Sequence, residues 1–219
     1  MRLIKYIATK AVRPLFLFYL SSQRSYRYKN INLTVFSGVF HPGLFFSTKF
    51  LLQYLQTIDL KNKLFLELGA GSGLISIYAC KQGASVTASD ISHKAIENIK
   101  INQQKNNCSF DVICSDLFDT IPSQKIDIIA INPPYYKKNP LSEQEHAWYC
   151  GENMEYFKRL FSAIKNYFHS RLKVLMVISD ECDLEEVKEI ALDNNLKLVT
   201  IAVKKNWSET LFIYELKQV

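Results

Sequence analysis

The chain of 219 residues has no acidic side chain before Asp59. Every charge up to that point is positive: Arg2, Lys5, Lys10, Arg13, Arg24, Arg27, Lys29 and Lys49. The net charge is only +6, so its uneven distribution says more than its size. Such asymmetry fits an anionic partner, RNA or an acidic protein surface, or else a solvated basic face. Long hydrophobic runs are also missing. Residues 14–20 are apolar but too short to span a bilayer. Basic residues flank that run and no small-residue cleavage site follows, which argues against a signal peptide and against stable membrane association. The five cysteines form no C-x-x-C pair and have no histidine at zinc spacing, so no metal site is expected. An odd number of thiols in apolar segments reads as reduced cysteine in an intracellular, cytoplasmic protein, with no cysteine nucleophile. No repeat, low-complexity segment or flexible linker appears. Length and a 48% hydrophobic content suit one α/β domain with an N-terminal appendage.

Glycine is scarce, yet three of the seven residues of this type stand at alternate positions, Gly69, Gly71 and Gly73. An apolar run, residues 64–68, precedes them and suits a buried parallel strand. Leu74, Ile75, Ile77 and Ala79 follow with the spacing of an apolar helix face. A strand that turns on glycines into a helix N-terminus makes a nucleotide crevice. The spacing is wrong for the dinucleotide loop G-x-G-x-x-G, because the sixth position is Leu74. Glu67-Leu68-Gly69-Ala70-Gly71-Ser72-Gly73 instead resembles the E-x-G-x-G-x-G loop of class I S-adenosylmethionine-dependent methyltransferases.

Taken in order, residues 2–20 read as a helix with Ile4, Ile7, Ala11 and Leu15 on one face and Arg2, Lys5 and Arg13 on the other. Residues 26–35 suggest a short hairpin or strand. Ser47 or Thr48 is placed to cap a helix running to about Gln56. Thr48 with Leu51 and Leu52 resembles the segment that closes over the cofactor in small-domain methyltransferases. Strands are then expected at residues 64–68, 85–89, 110–114, 126–131 and 173–178, alternating with helices. Ser92 and Asp183 are expected helix caps, and Met154 to Phe168 carries a wide apolar helix face. Two extended runs, 198–203 and 210–216, pair as a closing antiparallel hairpin. The expected fold is α/β: a Rossmann-like, doubly wound, seven-stranded sheet with a C-terminal antiparallel hairpin strand and an N-terminal helical extension. The division is residues 1–40 for the extension and 41–219 for the catalytic domain.

Ligands of open α/β sheets bind beyond the carboxyl ends of the strands. Those ends carry Glu67 with the glycine loop, then Asp90 with Ile91, then Ser115-Asp116-Leu117, then Asn132-Pro133-Pro134-Tyr135. The last tetrapeptide resembles the N-P-P-Y signature of methyltransferases that act on planar amino groups. The resemblance implies S-adenosyl-L-methionine as cofactor, with S-adenosyl-L-homocysteine as product, and the cofactor bound by Thr48, Glu67, Leu68, Gly69, Ala70, Gly71, Gly73, Asp90, Ile91, Ser115, Asp116, Leu117 and Asn132. Asp90 would take the ribose and Asp116 with Leu117 would border the adenine. Asn132, Pro133, Pro134 and Tyr135 would form the catalytic group. A carboxamide or base amine is a poor nucleophile, so acceptors such as Asn132 Oδ1 and the Pro133 carbonyl must orient it and favour charge build-up on it. The prolines keep those carbonyls aimed, and Tyr135 offers a ring face to a planar target. His146-Ala147-Trp148-Tyr149-Cys150-Gly151 loosely resembles the A-x-x-G-G segment of glutamine-methylating relatives, with Cys150 where the first glycine would stand. The expectation is therefore an N-methyltransferase whose acceptor is RNA, ribosomal or transfer, or a translation factor. The alternatives are an NAD(P)-dependent Rossmann oxidoreductase and a non-catalytic nucleotide-binding module.

Overall fold

The structure is a computed structural model describing residues 22–122 and 124–219. The expected helix at residues 2–20 lies outside them. A hairpin comes first, β1 (Arg24–Tyr28) and β2 (Ile31–Val35), followed by helix α1 (Phe46–Leu55). Strand and helix then alternate: β3 (Leu64–Leu68), α2 (Leu74–Lys81), β4 (Ser85–Asp90), α3 (His93–Lys105), β5 (Asp111–Cys114) and β6 (Ile128–Ile131). The chain closes with α4 (Glu155–Ile164), β7 (Lys173–Ser179), α5 (Leu184–Asp193), β8 (Leu196–Lys205) and β9 (Thr210–Gln218).

Seven strands form one sheet in the order β5-β4-β3-β6-β7-β9-β8. The first five are parallel, and β9 inserts antiparallel between β7 and β8. The winding direction reverses between β3 and β6, which opens a crevice beyond their carboxyl ends. Alternate side chains fill two cores. Leu66, Leu68, Ile129, Ile131 and Met176 meet Phe157, Leu160, Phe161 and Ile164 of α4 on one face. Phe65, Ile128, Ala130, Leu175 and Val177 meet α1 and α2 on the other. Complete burial of a residue such as Phe157 or Leu66 contributes about 1.5–3 kcal/mol. A sheet covered on both faces explains why its central strands are apolar without alternation.

The β1–β2 hairpin is joined to the domain by side chains. Asn98 and Asn102 of α3 and Asn106, its C-cap, stand at every fourth position. Asn98 Oδ1 accepts from Phe36 N–H and its Nδ2 donates to the Thr34 carbonyl. Asn102 accepts from Thr34 N–H at 2.7 Å and donates back to the Thr34 carbonyl. Asn106 does the same with both backbone groups of Asn32. Four helical residues rise about 6 Å, close to the roughly 6.7 Å of two strand residues, so one ladder matches the other. The apolar side of β2, Ile31, Leu33 and Val35, is buried in the α1–α2 core. Asn102 also donates to the Ser72 carbonyl at 2.9 Å, tying hairpin, helix and glycine loop together.

Three expectations need correction. Helix α1 begins at Phe46, with Phe45 as N-cap and no side-chain capping bond, so neither Ser47 nor Thr48 is a cap. Both lie inside the first turn, where burial of Ser47, Thr48, Phe50 and Leu51 decides the helix start. The strands expected at 110–114 and 126–131 begin later, at Asp111 and Ile128. The Phe110 carbonyl is taken by Gln103 Nε2, and Asp127 turns its carboxylate onto Leu64 N–H. The helix after Met154 ends at Ile164 and passes into a 3₁₀ turn, Lys165–Tyr167. The expected caps Ser92 and Asp183 are present, accepting from Ala95 N–H and Glu186 N–H.

Candidate active site

A cavity of about 250 Å³ opens at the carboxyl ends of β3, β4, β5 and β6. Its floor is the glycine loop. Gly69 has φ +71°, and a Cβ built there would meet no atom within 4 Å, so its glycine leaves free space on the cavity side. Gly73 differs. It is the αL N-cap of α2, its Cβ would press on Ile99 at 3.3 Å, and it is not among the lining residues. The other expected cofactor residues, Thr48, Glu67, Leu68, Gly69, Ala70, Gly71, Asp90, Ile91, Ser115, Asp116, Leu117 and Asn132, all line the cavity, as do Pro133, Pro134 and Tyr135.

Glu67 is 5% exposed. Its Oε2 accepts from Ser76 N–H at 2.8 Å and from the Ser76 hydroxyl, so it pins the first turns of α2 beneath the loop. Burial pushes its carboxyl up to about 8, against the opposing pull of the Ser76 bonds. The shift favours the protonated carboxyl near neutral pH. Asp90 divides its oxygens: Oδ2 accepts from Gly71 N–H at 2.8 Å and Oδ1 from Ser92 N–H at 2.9 Å. Enclosure raises its carboxyl, while those two bonds lower it. Each oxygen keeps a further lone pair, the arrangement needed to accept from two vicinal hydroxyls. Ser115 turns its hydroxyl to Thr120 N–H, so its side chain shapes the loop. Leu117 follows with φ +51°, a left-handed conformation costly for a branched residue.

Asn132 donates from Nδ2 to Thr48 Oγ1 at 3.4 Å. That contact leaves Oδ1 as the acceptor of the carboxamide. Pro133 and Pro134 are buried, and the Tyr135 ring packs beside the α4 core with Tyr136 at 5.0 Å. The Tyr136 hydroxyl donates to Glu181 at 2.7 Å, which fixes the chain leaving the tetrapeptide.

Two parts of the site were not foreseen. Arg159 of α4 lines the cavity and binds Asp116 at 2.7 Å and Asp119 at 3.4 Å, clamping the loop after β5. Its only sequence signal was an arginine on the polar side of an amphipathic helix. The second part is a three-ring cluster, of which Phe40 and Trp148 line the cavity. Phe40 stacks on Phe45 at 4.8 Å, and Trp148 meets them at 5.3 and 4.9 Å. Glu143 accepts from His93 N–H at 2.6 Å, so the segment after the tetrapeptide folds back onto α3. Cys150 is buried beside Met154, and burial pushes its thiol up to about 11, which makes it unreactive at neutral pH. Among the described residues no group of His, Cys, Asp or Glu side chains is arranged to hold a metal ion. Nor is any described helix long and apolar enough to cross a membrane.

A mostly parallel sheet closed by an antiparallel strand, with acidic and glycine-rich strand ends around one cavity, is the architecture of a Rossmann-like methyltransferase. The methyltransferase small domain model matches residues 30–206, and the chain belongs to that family. A chain of Methanocaldococcus jannaschii named as a protein N5-glutamine methyltransferase is 43% identical over 89 residues, 40% of this chain and 43% of the relative. Ribosomal RNA small subunit methyltransferase C of Buchnera aphidicola is 28% identical over 142 residues, 64% of this chain and 43% of the relative. The chain thus matches less than half the length of these curated relatives. A 16S rRNA N2 methyltransferase of T. thermophilus, solved with AdoMet and guanosine, superposes with a TM-score of 0.62 at 16% identity, over 88% of this chain and 50% of that one. At that identity the likeness is one of fold.

Proposed function

We propose that the chain is an S-adenosylmethionine-dependent N-methyltransferase acting on a planar amino group, either an RNA base amine or a protein glutamine amide. The observation that carries the reading is one shared cavity. The tetrapeptide 132–135 and the glycine loop with Asp90 open into the same space. The cofactor, when bound, supplies an electrophilic methyl group on a sulfonium. The chain's own residues do the rest. Gly69 and Gly71 leave room for the ligand, Asp90 accepts from the ribose hydroxyls, and Arg159 holds Asp116 at the adenine edge. Asn132 Oδ1 and the Pro133 carbonyl accept from the target amino group, keeping its nitrogen in line and balancing the positive charge that develops on it. Tyr135 presents a ring to the flat acceptor. No group in this arrangement has to act as a nucleophile. A dinucleotide-dependent oxidoreductase is not favoured, since its loop spacing is absent and β9 runs antiparallel. The acceptor would be rRNA, tRNA or a translation factor, met in the cytoplasm.

The test is methyl transfer from tritiated cofactor to total RNA and to ribosomal extracts. Asn132→Ala should lower turnover by about 10²–10³, as for loss of one preorganised polar group, with little change in cofactor affinity. Transfer at the wild-type rate by this variant refutes the amino-methylation reading.

A further inference from the structure

We propose that the tip of the β8–β9 hairpin, with the Lys138–Tyr149 pair of the segment that follows the tetrapeptide, is a docking surface for single-stranded RNA; this rests on the methyltransferase reading above and selects RNA as the acceptor. The placement follows from the topology. β8 runs parallel to β7, so both end on the side where the cavity opens. Asp180, just past β7, exchanges bonds with Thr210: its N–H donates to the Thr210 carbonyl at 2.9 Å and its Oδ1 accepts from Thr210 N–H at 3.0 Å. The next residue, Glu181, takes the Tyr136 hydroxyl. The turn is closed by Asn206 N–H donating to the Glu209 carbonyl at 2.8 Å. It therefore projects beside the tetrapeptide.

What it projects is an indole. Trp207 is 84% exposed, and exposed Lys205 precedes it by two residues. Lys204 bonds Gln53 Oε1 at 2.9 Å and stands over the Phe50 ring, so it braces the tip on α1. In the segment after the tetrapeptide, the Lys138 ammonium lies 4.6 Å from the centre of the Tyr149 ring, and Tyr149 lines the cavity. Paired aromatic faces and ammonium groups are what a single strand requires, one for a base and the other for a phosphate. The acids beside the tip are Asp180 and Glu181, engaged as described, and Glu209 of the turn itself. A peptide acceptor would most simply add a strand to β8, the edge strand of the sheet among the described residues. That strand carries Lys197, Lys204 and Lys205, the charges that block strand addition.

The experiment uses a fluorescently labelled, mixed-sequence single-stranded RNA of about 20 nucleotides, enough to cover a site of this kind. Anisotropy is measured with the full chain in the presence of S-adenosylhomocysteine. Trp207→Ala should weaken binding about 5- to 150-fold, the range for loss of one stacked base, and Trp207→Phe should restore most of it. Lys205→Ala should reduce the salt slope by about 1. Calorimetry with S-adenosylhomocysteine should give the same affinity for every variant, which reports folding separately. Equal RNA binding by wild type and Trp207→Ala overturns the proposal. So does a wild type that ignores RNA but methylates a protein, with KM raised in Trp207→Ala, since the surface then belongs to a protein partner. A wild type that binds no S-adenosylhomocysteine sinks the methyltransferase reading instead.

Discussion

Glu67→Gln should make the protein more stable at alkaline pH and leave it little changed at acid pH. The Glu67 carboxyl has an ordinary value of 4.5 and is pushed to about 8 by burial. Between these limits the unfolded chain releases its proton and the folded chain retains it. A raised acid therefore contributes fully below 4.5, and that contribution is lost as pH rises to about 8. With about 1.36 kcal/mol for each pH unit, and a unit of latitude in the upper value, the loss is about 3–6 kcal/mol. Glutamine is neutral throughout and keeps an oxygen for Ser76 N–H. Asp90, raised in the same direction, is itself one cause of the Glu67 shift, so the difference reads Glu67 together with its coupling to Asp90. The assay is urea denaturation of both proteins from about pH 4 to about pH 9, comparing midpoints at constant m. The stability of the variant relative to wild type should climb across that window and level off above about pH 8. A difference that stays flat refutes the protonated carboxyl, showing that Glu67 is ionised in the fold.

Asp90→Ala should weaken S-adenosylhomocysteine binding by about 1.5–3 kcal/mol, because a charged hydrogen-bond partner is removed. Calorimetry reads it, and unchanged affinity in a folded variant would leave Asp90 with the Gly71 and Ser92 bonds as its whole role. Asn102→Ala strips a partner from the Thr34 N–H and the Ser72 carbonyl, while the Thr34 carbonyl keeps Asn98, so chemical denaturation should show a loss of about 2–4 kcal/mol. Ile101→Ala, on the exposed side of the same helix, is the control, with an expected change within about 0.5 kcal/mol. Equal effects of the two substitutions would remove the ladder from any account of stability.

The glycine loop and the strand ends were legible because the central parallel strands β3 and β6 are written as apolar runs, and β4, β5 and β6 end at Asp90, Ser115-Asp116 and Asn132. The closing hairpin was legible from two extended runs around a short polar loop. The docking of β2 was not. Asparagines on a helix read as a wetted face, and their partners lie 62 to 74 residues away. Arg159 escaped for the same reason, since its acids stand 40 and 43 residues back on another loop. The α1 cap was misjudged because a serine and a threonine beside a Pro-Gly turn suggest a start. Burial of that turn overrode the local signal. Phe40, Phe45 and Trp148 meet only through the fold, so no local pattern marks them as a cluster.

Synthesis proceeds from the amino end, so β1 and β2 leave the ribosome well before Asn98, Asn102 and Asn106. At about 5–20 residues per second the wait is roughly 3–15 s. A lone two-stranded hairpin is marginal in water, and through this interval the Asn32, Thr34 and Phe36 edge has no helix to read it. An open edge of this kind invites pairing with another nascent chain. Arg24, Arg27 and Lys29 all sit on that hairpin, with no acid in it to neutralise them. Repulsion among these charges would oppose pairing of two unfinished copies until α3 arrives, so the charge of the hairpin would act as a guard during synthesis.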